Sequence, residues 1–480
     1  MSGEHHTIEL DLPRLTAGYK NGSFTPSGVV ETIFDRIAER GDDGVWISLV
    51  GRDSALTRAR QLEGLPPAVR ASLPLWGVPF SVKDCIDVVG LPTTSACPDF
   101  SYVAEESSPS VERLLAAGAI LIGKTNMDQF ATGLVGVRSP YGVARNAFNA
   151  DYIPGGSSSG AAVSVVAGLV SLALGTDTGG SGRVPAAFNN VVGLKPTRGL
   201  ISRIGTVSAC RSIETISVFA LTVPDAQAAF DVIRDFDRRD PFSRAVPLAP
   251  LDKTIRGFRF GVPRPQHLDF FGDAGAAKLF DHAVRRLEDL GGIRVDVDFA
   301  PFLEINDMLF RGPWLAERYG ALKEFLDSRD SSVLPVTRDI LLGGARITGA
   351  DVFAGQQRLK LLKREINDLW RDIDVLVVPT TGTIYKNSEL EADPVNLNTR
   401  TGTYTTFVNL ADLSAVAVPS GFLPNGLPQG VTVIGPAFAD NNVAWLADKF
   451  HRSSELPLGA RVVRYLDKSQ NSETRTELVT

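Results

Sequence analysis

Apolar residues recur with two different periods along the chain. Over residues 26–40 they repeat every three or four positions, which predicts an amphipathic helix whose buried face is made of Val29, Val30, Ile33, Phe34 and Ile37. Over residues 74–223, short apolar runs such as 76–82 and 119–122 alternate with helical stretches and with glycine- and serine-rich connections. This alternation is typical of an α/β fold with a largely buried sheet.

The second half of the chain is first helical in pattern and then strand-like again. Residues 225–350 are rich in charge, with the clearest amphipathic stretch at 314–327, and 351–373 is a long helix candidate. A last helix is predicted at 442–451. Before it, three apolar runs indicate strands, at 375–378, 415–418 and 431–434.

Sheet signals at both ends with helices between them indicate one large domain that holds an insertion. We therefore predict a single domain over residues 1–467. Its core lies at 74–225 and 373–455, and a helical insertion at 225–372 shapes the substrate pocket. The polar residues 468–480 are predicted to form a flexible tail.

Composition narrows the classes of partner. The 480 residues carry a net charge of −6 without a long basic run, which argues against nucleic acid or an anionic membrane as the main partner. No apolar run reaches the roughly 18 residues of a spanning helix. Three cysteines lack C-x-x-C spacing and five histidines form no metal-binding motif. We expect a cytoplasmic protein with no bound metal.

Two familiar motifs occur in contexts that do not suit them. Residues 118–125 match the phosphate-binding pattern G-x-x-x-x-G-K-T, but their variable positions, Ala-Ile-Leu-Ile, favour a buried strand over a polar turn. Residues 156–160 match the G-x-S-x-G motif of α/β-hydrolases. That motif needs a downstream histidine, and the patterns around His282 and His451 favour an ordinary surface and a helix end. Both interpretations are minor alternatives.

Three blocks offer a serine nucleophile without a histidine. The string GVPFSVKD is an apolar strand pattern that reaches Lys83, PGGSSSG carries Ser157, and LGTDTGGSGRVPA carries Ser181. A lysine kept neutral by burial can replace histidine as the base that activates a serine. A lone strand-end lysine usually faces solvent, and a Gly/Ser loop is usually only a loop. The occurrence of all three blocks in this order favours the catalytic interpretation.

The three blocks resemble the signature of the amidase-signature family. The two serine blocks, 154–160 and 174–186, match its signature, and the block at 77–84 supplies its lysine. The similarity extends from about residue 27 to about residue 451. The resemblance implies a large, mixed, twisted β-sheet covered by helices on both faces, no cofactor, and a homodimer.

The resemblance also implies a role for each matching residue. Ser181 would attack an amide carbonyl, and Ser157, in a cis-peptide segment, would relay its proton to an uncharged, buried Lys83. Asp177 and Arg183 would pair and fix the nucleophile loop. Backbone N–H groups just before the nucleophile would form the oxyanion hole, at Thr178, Gly179 and Gly180.

Local strings resemble allophanate hydrolases, which are amidases of urea breakdown within this family. The resemblance implies a small anionic substrate, urea-1-carboxylate, cleaved to ammonia and N-carboxycarbamate. Arg318 would clamp the substrate carboxylate, a bidentate task suited to arginine, and Gly133 would contact the urea end. The alternative for Arg318 is a surface charge beside Glu317. The strings lie at 123–136, 182–190, 312–319 and 407–414.

Three positions depart from the allophanate hydrolase pattern. Phe310 stands where a substrate-contacting tyrosine is expected, Cys85 replaces an asparagine, and Gly179 replaces an alanine. Because Phe310 lacks a hydroxyl, another small carboxylated urea or an aliphatic amide stays open as the substrate. Membership of a glutamyl-tRNA amidotransferase complex is a less favoured alternative. For Ser159, a helix N-cap is favoured over a chemical role.

Overall fold

The strands form one large sheet and one two-stranded ribbon in the computed structural model, which describes residues 8–250 and 257–460. Within those ranges the strands are β1 (Trp46–Leu49), β2 (Pro79–Lys83), β3 (Pro92–Thr93), β4 (Tyr102–Val103), β5 (Ile120–Thr125), β6 (Leu172–Asp177), β7 (Val192–Lys195), β8 (Thr215–Ala220), β9 (Arg259–Pro263), β10 (Ile293–Val297), β11 (Val375–Pro379), β12 (Leu413–Phe422) and β13 (Pro428–Pro436).

Helices surround the large sheet. The α-helices of the described ranges are α1 (Leu12–Asn21), α2 (Pro26–Arg40), α3 (Arg52–Glu63), α4 (Pro67–Ser72), α5 (Pro109–Ala116), α6 (Ser159–Val166), α7 (Val184–Phe188), α8 (Val223–Ile233), α9 (Ala274–Asp289), α10 (Ala300–Arg311), α11 (Trp314–Arg329), α12 (Pro335–Gly343), α13 (Gly349–Leu369), α14 (Asn387–Ala392), α15 (Asn396–Thr401), α16 (Phe407–Leu410) and α17 (Asp440–Ser453). Short 3-10 helices lie at Pro98–Phe100, Gln129–Ala131, Pro265–His267, Asp330–Ser332 and Gly344–Arg346.

The large sheet has 11 strands in the order β1-β5-β2-β6-β8-β7-β12-β13-β11-β9-β10. Strands β5, β2 and β6 are parallel neighbours, and so are β11, β9 and β10 at the other end. Between them β8, β7, β12 and β13 pair in antiparallel fashion. The predicted mixed α/β sheet is confirmed.

Both faces of the sheet are buried under helices. Successive side chains of a strand point to opposite faces. On β11, Val375 and Val377 join an apolar cluster with residues of α8, α9 and α17, whereas Leu376 and Val378 join another with residues of α10 and α16. The two clusters therefore lie on opposite sides of the sheet, which explains the nearly continuous apolar runs in its strands.

Most predicted elements match the structure, and the segment 225–372 holds more than the expected helices. Helix α2 has the predicted bounds, and the predicted runs at 375–378, 415–418 and 431–434 lie within β11, β12 and β13. Strands β9 and β10, however, come from the predicted helical insertion and extend the main sheet. The pattern conceals β10 because this edge strand is mostly exposed. The predicted tail at 468–480 lies outside the described residues.

The parallel strands bring the three sequence blocks to one end of the sheet, where these strands have their carboxyl ends. Lys83 is the last residue of β2 and Asp177 is the last residue of β6, and these strands are direct neighbours. Antiparallel β8 begins at this same end of the sheet, where Thr215 pairs with Asp177. The carboxyl ends of parallel strands are where α/β proteins commonly bind ligands. The candidate site is therefore expected here.

Candidate active site

Within the described chain, Lys83 contacts hydroxyl groups and no carboxylate. Its side chain is completely buried, and its Nζ donates to Ser157 Oγ at 2.7 Å and to Thr176 Oγ1 at 2.8 Å. No ion pair formed within residues 8–250 and 257–460 includes it. Burial lowers the pKa of Lys83, against smaller opposing effects of nearby acidic groups. An amine in this position can be neutral and can accept a proton.

Ser157 is held by its backbone as well as by Lys83. The peptide bond between Gly156 and Ser157 is cis. The Ser157 carbonyl accepts a hydrogen bond from Asp128 N at 3.1 Å, and Gly156 N donates to Leu134 O at 2.8 Å. A Cβ on Gly156 would lie 2.1 Å from Asp128 Oδ2, so only glycine fits. The Ser157 hydroxyl is therefore fixed toward the lysine.

The two serines that follow Ser157 correct the prediction of the helix N-cap. Helix α6 begins at Ser159, with Ser158 in the N-cap position and no side-chain capping bond. Ser159 Oγ donates to Asn126 O at 3.4 Å, and Ser158 Oγ donates to Thr176 O at 3.1 Å. The N-cap predicted at Ser159 is therefore wrong by one residue. The serine hydroxyls instead tie the start of α6 to neighbouring segments.

Ser181 lies on the loop that follows β6. It is 3% exposed, and its hydroxyl forms no hydrogen bond with any described residue. The same loop begins beside Thr176, the second acceptor of Lys83. The structure thus joins Lys83 to Ser157 directly, while Ser181 stands on the adjacent loop with a free hydroxyl.

A buried ion pair shapes the Ser181 loop. Arg183 donates to both carboxylate oxygens of Asp177, through Nε and Nη2 at 2.9 Å each, and both side chains are completely buried. The same carboxylate accepts Gly180 N and Gly182 N at 3.0 Å each. Although burial alone would raise it, the Arg183 charge and hydrogen bonds hold the pKa of Asp177 below its ordinary value. The loop is therefore wrapped around one carboxylate.

The three predicted oxyanion donors differ in their hydrogen bonding. Gly180 N donates to Asp177, whereas Thr178 N and Gly179 N donate to no acceptor among residues 8–250 and 257–460. Gly180 has a φ of +133°, and a Cβ there would lie 2.3 Å from Thr405 Oγ1. Glycine is required at this position, and of the three predicted donors those of Thr178 and Gly179 are free in the described chain.

Arg318 is a buried cation without a carboxylate partner in the described chain. It lies on α11, is 6% exposed, and its Nε donates to Cys210 Sγ at 3.3 Å. The neighbouring Glu317 instead accepts Ser212 N at 2.7 Å and Ser212 Oγ at 2.6 Å. The alternative of a surface charge paired with Glu317 is therefore wrong. A buried guanidinium in this state is suited to an anionic ligand.

Gly133 lies on a loop that one carboxylate organises. A Cβ on Gly133 would lie 2.7 Å from Asp128 Oδ2, which leaves no room for a side chain. The Gly133 loop therefore has a backbone fixed in place before any ligand arrives. The Asp128 carboxylate accepts backbone N–H groups from Val135, Gly136 and Arg138.

Phe310 lies beside the Gly133 loop, on the helix that also contacts the Ser181 loop. Its Cε2 is 3.3 Å, and Leu134 Cδ1 is 2.8 Å, from the position of a Cβ on Gly402. The preceding residue, Leu309, places its Cδ2 2.7 Å from the position of a Cβ on Gly179. Helix α10 thus presents an apolar wall to the Gly133 loop and to the Ser181 loop.

Several residues of the site were missed by the sequence analysis. Thr176 lies inside one of the blocks but was given no role, although it accepts from Lys83. Glu214, Cys210 and Asn409 lie far from Ser181 in sequence, and only their contacts reveal them. Asn409 Nδ2 donates to the Asp177 carbonyl at 2.6 Å.

Metal-binding clusters and membrane-spanning helices are both absent from the described residues. No group of three or more His, Cys, Asp or Glu side chains in residues 8–250 and 257–460 could hold a metal ion. Over the same ranges, no helix is long and apolar enough to cross a membrane.

The chain belongs to the amidase family of hydrolytic enzymes, whose model matches residues 28–444. It is 41% identical over 454 residues to urea amidolyase of Saccharomyces cerevisiae, covering 94% of this chain and 24% of that protein. The structure of Kluyveromyces lactis allophanate hydrolase is similar at 42% identity and a TM-score of 0.88, covering 94% of this chain and 74% of that one. A glutamyl-tRNA(Gln) amidotransferase subunit of Symbiobacterium thermophilum is 36% identical, with coverage of 93% and 98%. The chain thus spans about a quarter of the yeast urea amidolyase.

Proposed function

We propose that this chain hydrolyses the C–N amide bond of allophanate, releasing ammonia and N-carboxycarbamate. The observation that carries the proposal is Arg318, a buried guanidinium with no carboxylate partner in the described chain. A planar carboxylate can bind such a group through two parallel hydrogen bonds. The similarity to allophanate hydrolase and urea amidolyase supports the same substrate.

Ser181 is proposed as the nucleophile and Lys83 as the base. As Ser181 Oγ attacks the carbonyl carbon, its proton passes to Ser157 Oγ, and the Ser157 proton passes to neutral Lys83 Nζ. The C–N bond then breaks, and the proton returns along the same path to the departing ammonia. Water hydrolyses the resulting ester at Ser181 by the same relay. The 2.7 Å contact between Lys83 and Ser157 supports this path.

The loop before Ser181 is proposed to stabilise the charge that develops on the carbonyl oxygen. Thr178 N and Gly179 N supply the free donors, and Gly180 N maintains the loop through Asp177. Each well-aligned donor contributes roughly 3–4 kcal/mol to transition-state stabilisation. Gly133 is proposed to contact the urea end of the substrate through its backbone.

Ammonia release tests the proposal. Wild-type protein is expected to release ammonia from allophanate faster than from biuret, malonamate or simple amides. Ser181→Ala is expected to abolish release, and Arg318→Ala is expected to raise KM for allophanate. Ser159→Ala serves as the matched control, because this serine makes only a 3.4 Å bond to Asn126 O. Turnover that persists in Ser181→Ala would refute the nucleophile assignment.

A second candidate function follows from the wall at Phe310. A phenylalanine offers no hydroxyl to a polar substrate, which favours a different carboxylated urea or an aliphatic amide. The same substrate panel decides this, and Phe310→Tyr is expected to shift the preference toward allophanate. Similarity to the amidotransferase protein supports a third role, in a complex. Hydrolysis of free substrate by the purified chain alone would contradict that role.

The assembly and the compartment are also proposals. We propose a homodimer, to be tested by light scattering of the purified chain. We propose a cytoplasmic location because all three cysteines are free and buried, as expected in a reducing compartment. Fluorescence microscopy of a tagged chain in its native host tests the location.

A further inference from the structure

A single loop contacts both the Ser181 loop and Arg318 on α11. Residues 209–214 precede β8 and lie between the Ser181 loop and α11. Glu214 Oε2 accepts Thr178 Oγ1 at 2.9 Å and Ala209 N at 3.2 Å. Cys210 Sγ, in the same loop, accepts Arg318 Nε at 3.3 Å. The loop therefore connects Thr178, which precedes Gly179, to the buried guanidinium of Arg318.

Glu214 has one carboxylate oxygen to spare. The residue is 1% exposed, and its Oε1 has no hydrogen-bond partner in the described chain. It borders a cavity of about 140 Å³ together with Arg203, whose buried Nε is also unpartnered in that part of the chain. The other two arginines of the cavity, Arg198 and Arg244, both pair with Asp412.

A half-satisfied buried carboxylate is a net cost to folding. Burial removes its hydration, and the unpaired oxygen recovers nothing in return. Glu214 forms no ion pair among the described residues, although three arginines border the same cavity. Its other oxygen, Oε2, accepts hydrogen bonds from the Thr178 hydroxyl and from the backbone N–H of Ala209. The position therefore suggests a role in the reaction.

We propose that Glu214 is a positioning residue for the hydrolysis, which holds the oxyanion donors through Thr178 and places its carboxylate against that residue, two positions along the chain from Thr176, whose hydroxyl Lys83 contacts. This proposal rests on the proposed function, because it assumes that Thr178 N and Gly179 N face the developing charge. Glu214 does not touch the substrate. It acts through the Thr178 hydroxyl and through its electrostatic effect on the base.

The charges around Lys83 give Glu214 a distinct effect. Burial lowers the pKa of Lys83, and four groups oppose this, namely Cys85, Glu214, Asp128 and Asp177. Burial raises the pKa of Cys85 to about 12, so that thiol is uncharged at neutral pH. Asp177 is paired with arginine, and Asp128 accepts three backbone N–H groups. Glu214 is the acidic group of this set with the least compensation, since it has no arginine partner among the described residues and accepts a single backbone N–H, from Ala209.

Two substitutions separate the hydrogen bond from the charge. Thr178→Val removes the hydroxyl and keeps the Glu214 charge, while Thr178→Ser restores the hydroxyl. Glu214→Gln keeps an oxygen that can accept from Thr178 and removes the charge. Reaction of Ser181 with a fluorophosphonate probe measures the site without any natural substrate, since Oγ forms the P–O bond as fluoride leaves.

The expected results differ between the variants. Thr178→Val is expected to slow both probe labelling and kcat by about 10- to 100-fold with little change in KM, and Thr178→Ser is expected to restore them. Glu214→Gln is expected to shift the rising limb of the pH–rate profile to lower pH, because loss of the negative charge lowers the pKa of Lys83. Thr178→Val is expected to leave that limb in place.

Opposite results would overturn the proposal. Wild-type labelling rates in Thr178→Val, or an unmoved limb in Glu214→Gln, would each do so. Thr178→Ala replaces Thr178→Val if near-UV circular dichroism shows that the valine does not fold. Failure of the proposed function is recognised separately, since wild-type protein that reacts with the probe but releases no ammonia from allophanate contradicts the substrate and leaves the Glu214 measurement intact.

Discussion

Asp177→Asn tests whether one carboxylate maintains the Ser181 loop. In the wild-type protein each Asp177 oxygen accepts two donors: Oδ1 accepts from Gly180 N and Arg183 Nη2, and Oδ2 accepts from Gly182 N and Arg183 Nε. Asparagine has the same shape, but one of its two terminal atoms is an NH2 group. Whichever way the amide is oriented, that group faces two donors and accepts from neither.

The expected loss follows from these four contacts. Two hydrogen bonds are replaced by donor–donor contacts, and the completely buried Arg183 loses its only carboxylate partner in the described chain. Removing one member of a buried ion pair typically costs about 3–5 kcal/mol of unfolding free energy. Arg183 keeps neutral acceptors at Thr405 O and Asn409 Oδ1, which places the expected loss near the lower end.

Urea denaturation and ammonia release measure the two consequences. Asp177→Asn is expected to lower the unfolding free energy by about 3 kcal/mol and kcat by about 100-fold, because either Gly180 N or Gly182 N loses its acceptor and the loop loses part of its support. The matched control is Asp231→Asn, which breaks a 3.0 Å pair with Arg234 whose side chains are 49% and 42% exposed. The control is expected to change stability by less than about 1 kcal/mol. Equal losses in both variants, or a fully active Asp177→Asn, would refute this reasoning.

Three further predictions concern buried titratable groups. Burial raises the pKa of Asp225 from 3.8 to about 7, so the folded state binds a proton that the unfolded chain releases. Stability is therefore expected to fall by up to about 4 kcal/mol between pH 4 and 7, and Asp225→Asn is expected to flatten this profile in urea titrations. Burial lowers the pKa of His451 from 6.5 to about 3, so below pH 6.5 the unfolded chain binds a proton that the folded state does not bind. Stability is therefore expected to fall as the pH is lowered below 6.5, and NMR is expected to show a neutral His451 ring at pH 5. Lys83→Met is expected to lower kcat by about 10²- to 10⁴-fold without lowering the unfolding free energy, because it removes a buried amine.

Each of these has a contrary outcome. Parallel stability profiles for wild type and Asp225→Asn would show that this carboxyl titrates normally in the folded state. An imidazole signal that titrates near pH 6.5 and is assigned to His451 would show that the ring reaches solvent. A clearly destabilised Lys83→Met would show that the lysine is retained for folding.

The sequence predicts the centre of the sheet better than its edges. Strands buried on both faces are mostly apolar, so β11 and the central part of the adjoining β13 are visible as apolar runs. Strand β10 lies at the edge and exposes Ile293 and Arg294, so its composition resembles that of the surrounding helices. The hydrophobic pattern of a sequence reflects burial, so it does not reveal β10, which is mostly exposed.

The sequence indicates those parts of the site whose contacts join residues close together in the chain. Asp177 and Arg183 are close in the chain, and the resemblance of their block to the amidase signature implied their pairing. The support of that pair comes from far away, since Thr405 and Asn409 are more than 200 residues distant along the chain. Such long-range hydrogen bonds have no signature in a single sequence. Glu214 was missed for the same reason.

Two buried lysines on adjacent strands show why chemistry could not be assigned from the pattern alone. Lys83 ends β2, and Lys124 lies beside it on β5; both are completely buried. Lys124 Nζ lies 3.7 Å from Asp84 Oδ1 and donates to Pro92 O, a carbonyl that can only accept. Burial lowers the pKa of Lys124 as it does that of Lys83, but these neighbours oppose the shift by favouring the ammonium form. Lys83 meets two hydroxyls, which can accept from an ammonium or donate to an amine, so it can change protonation state without leaving a partner unsatisfied. The lysine in the phosphate-loop-like motif is therefore structural, and the one at the end of β2 is suited to be a base.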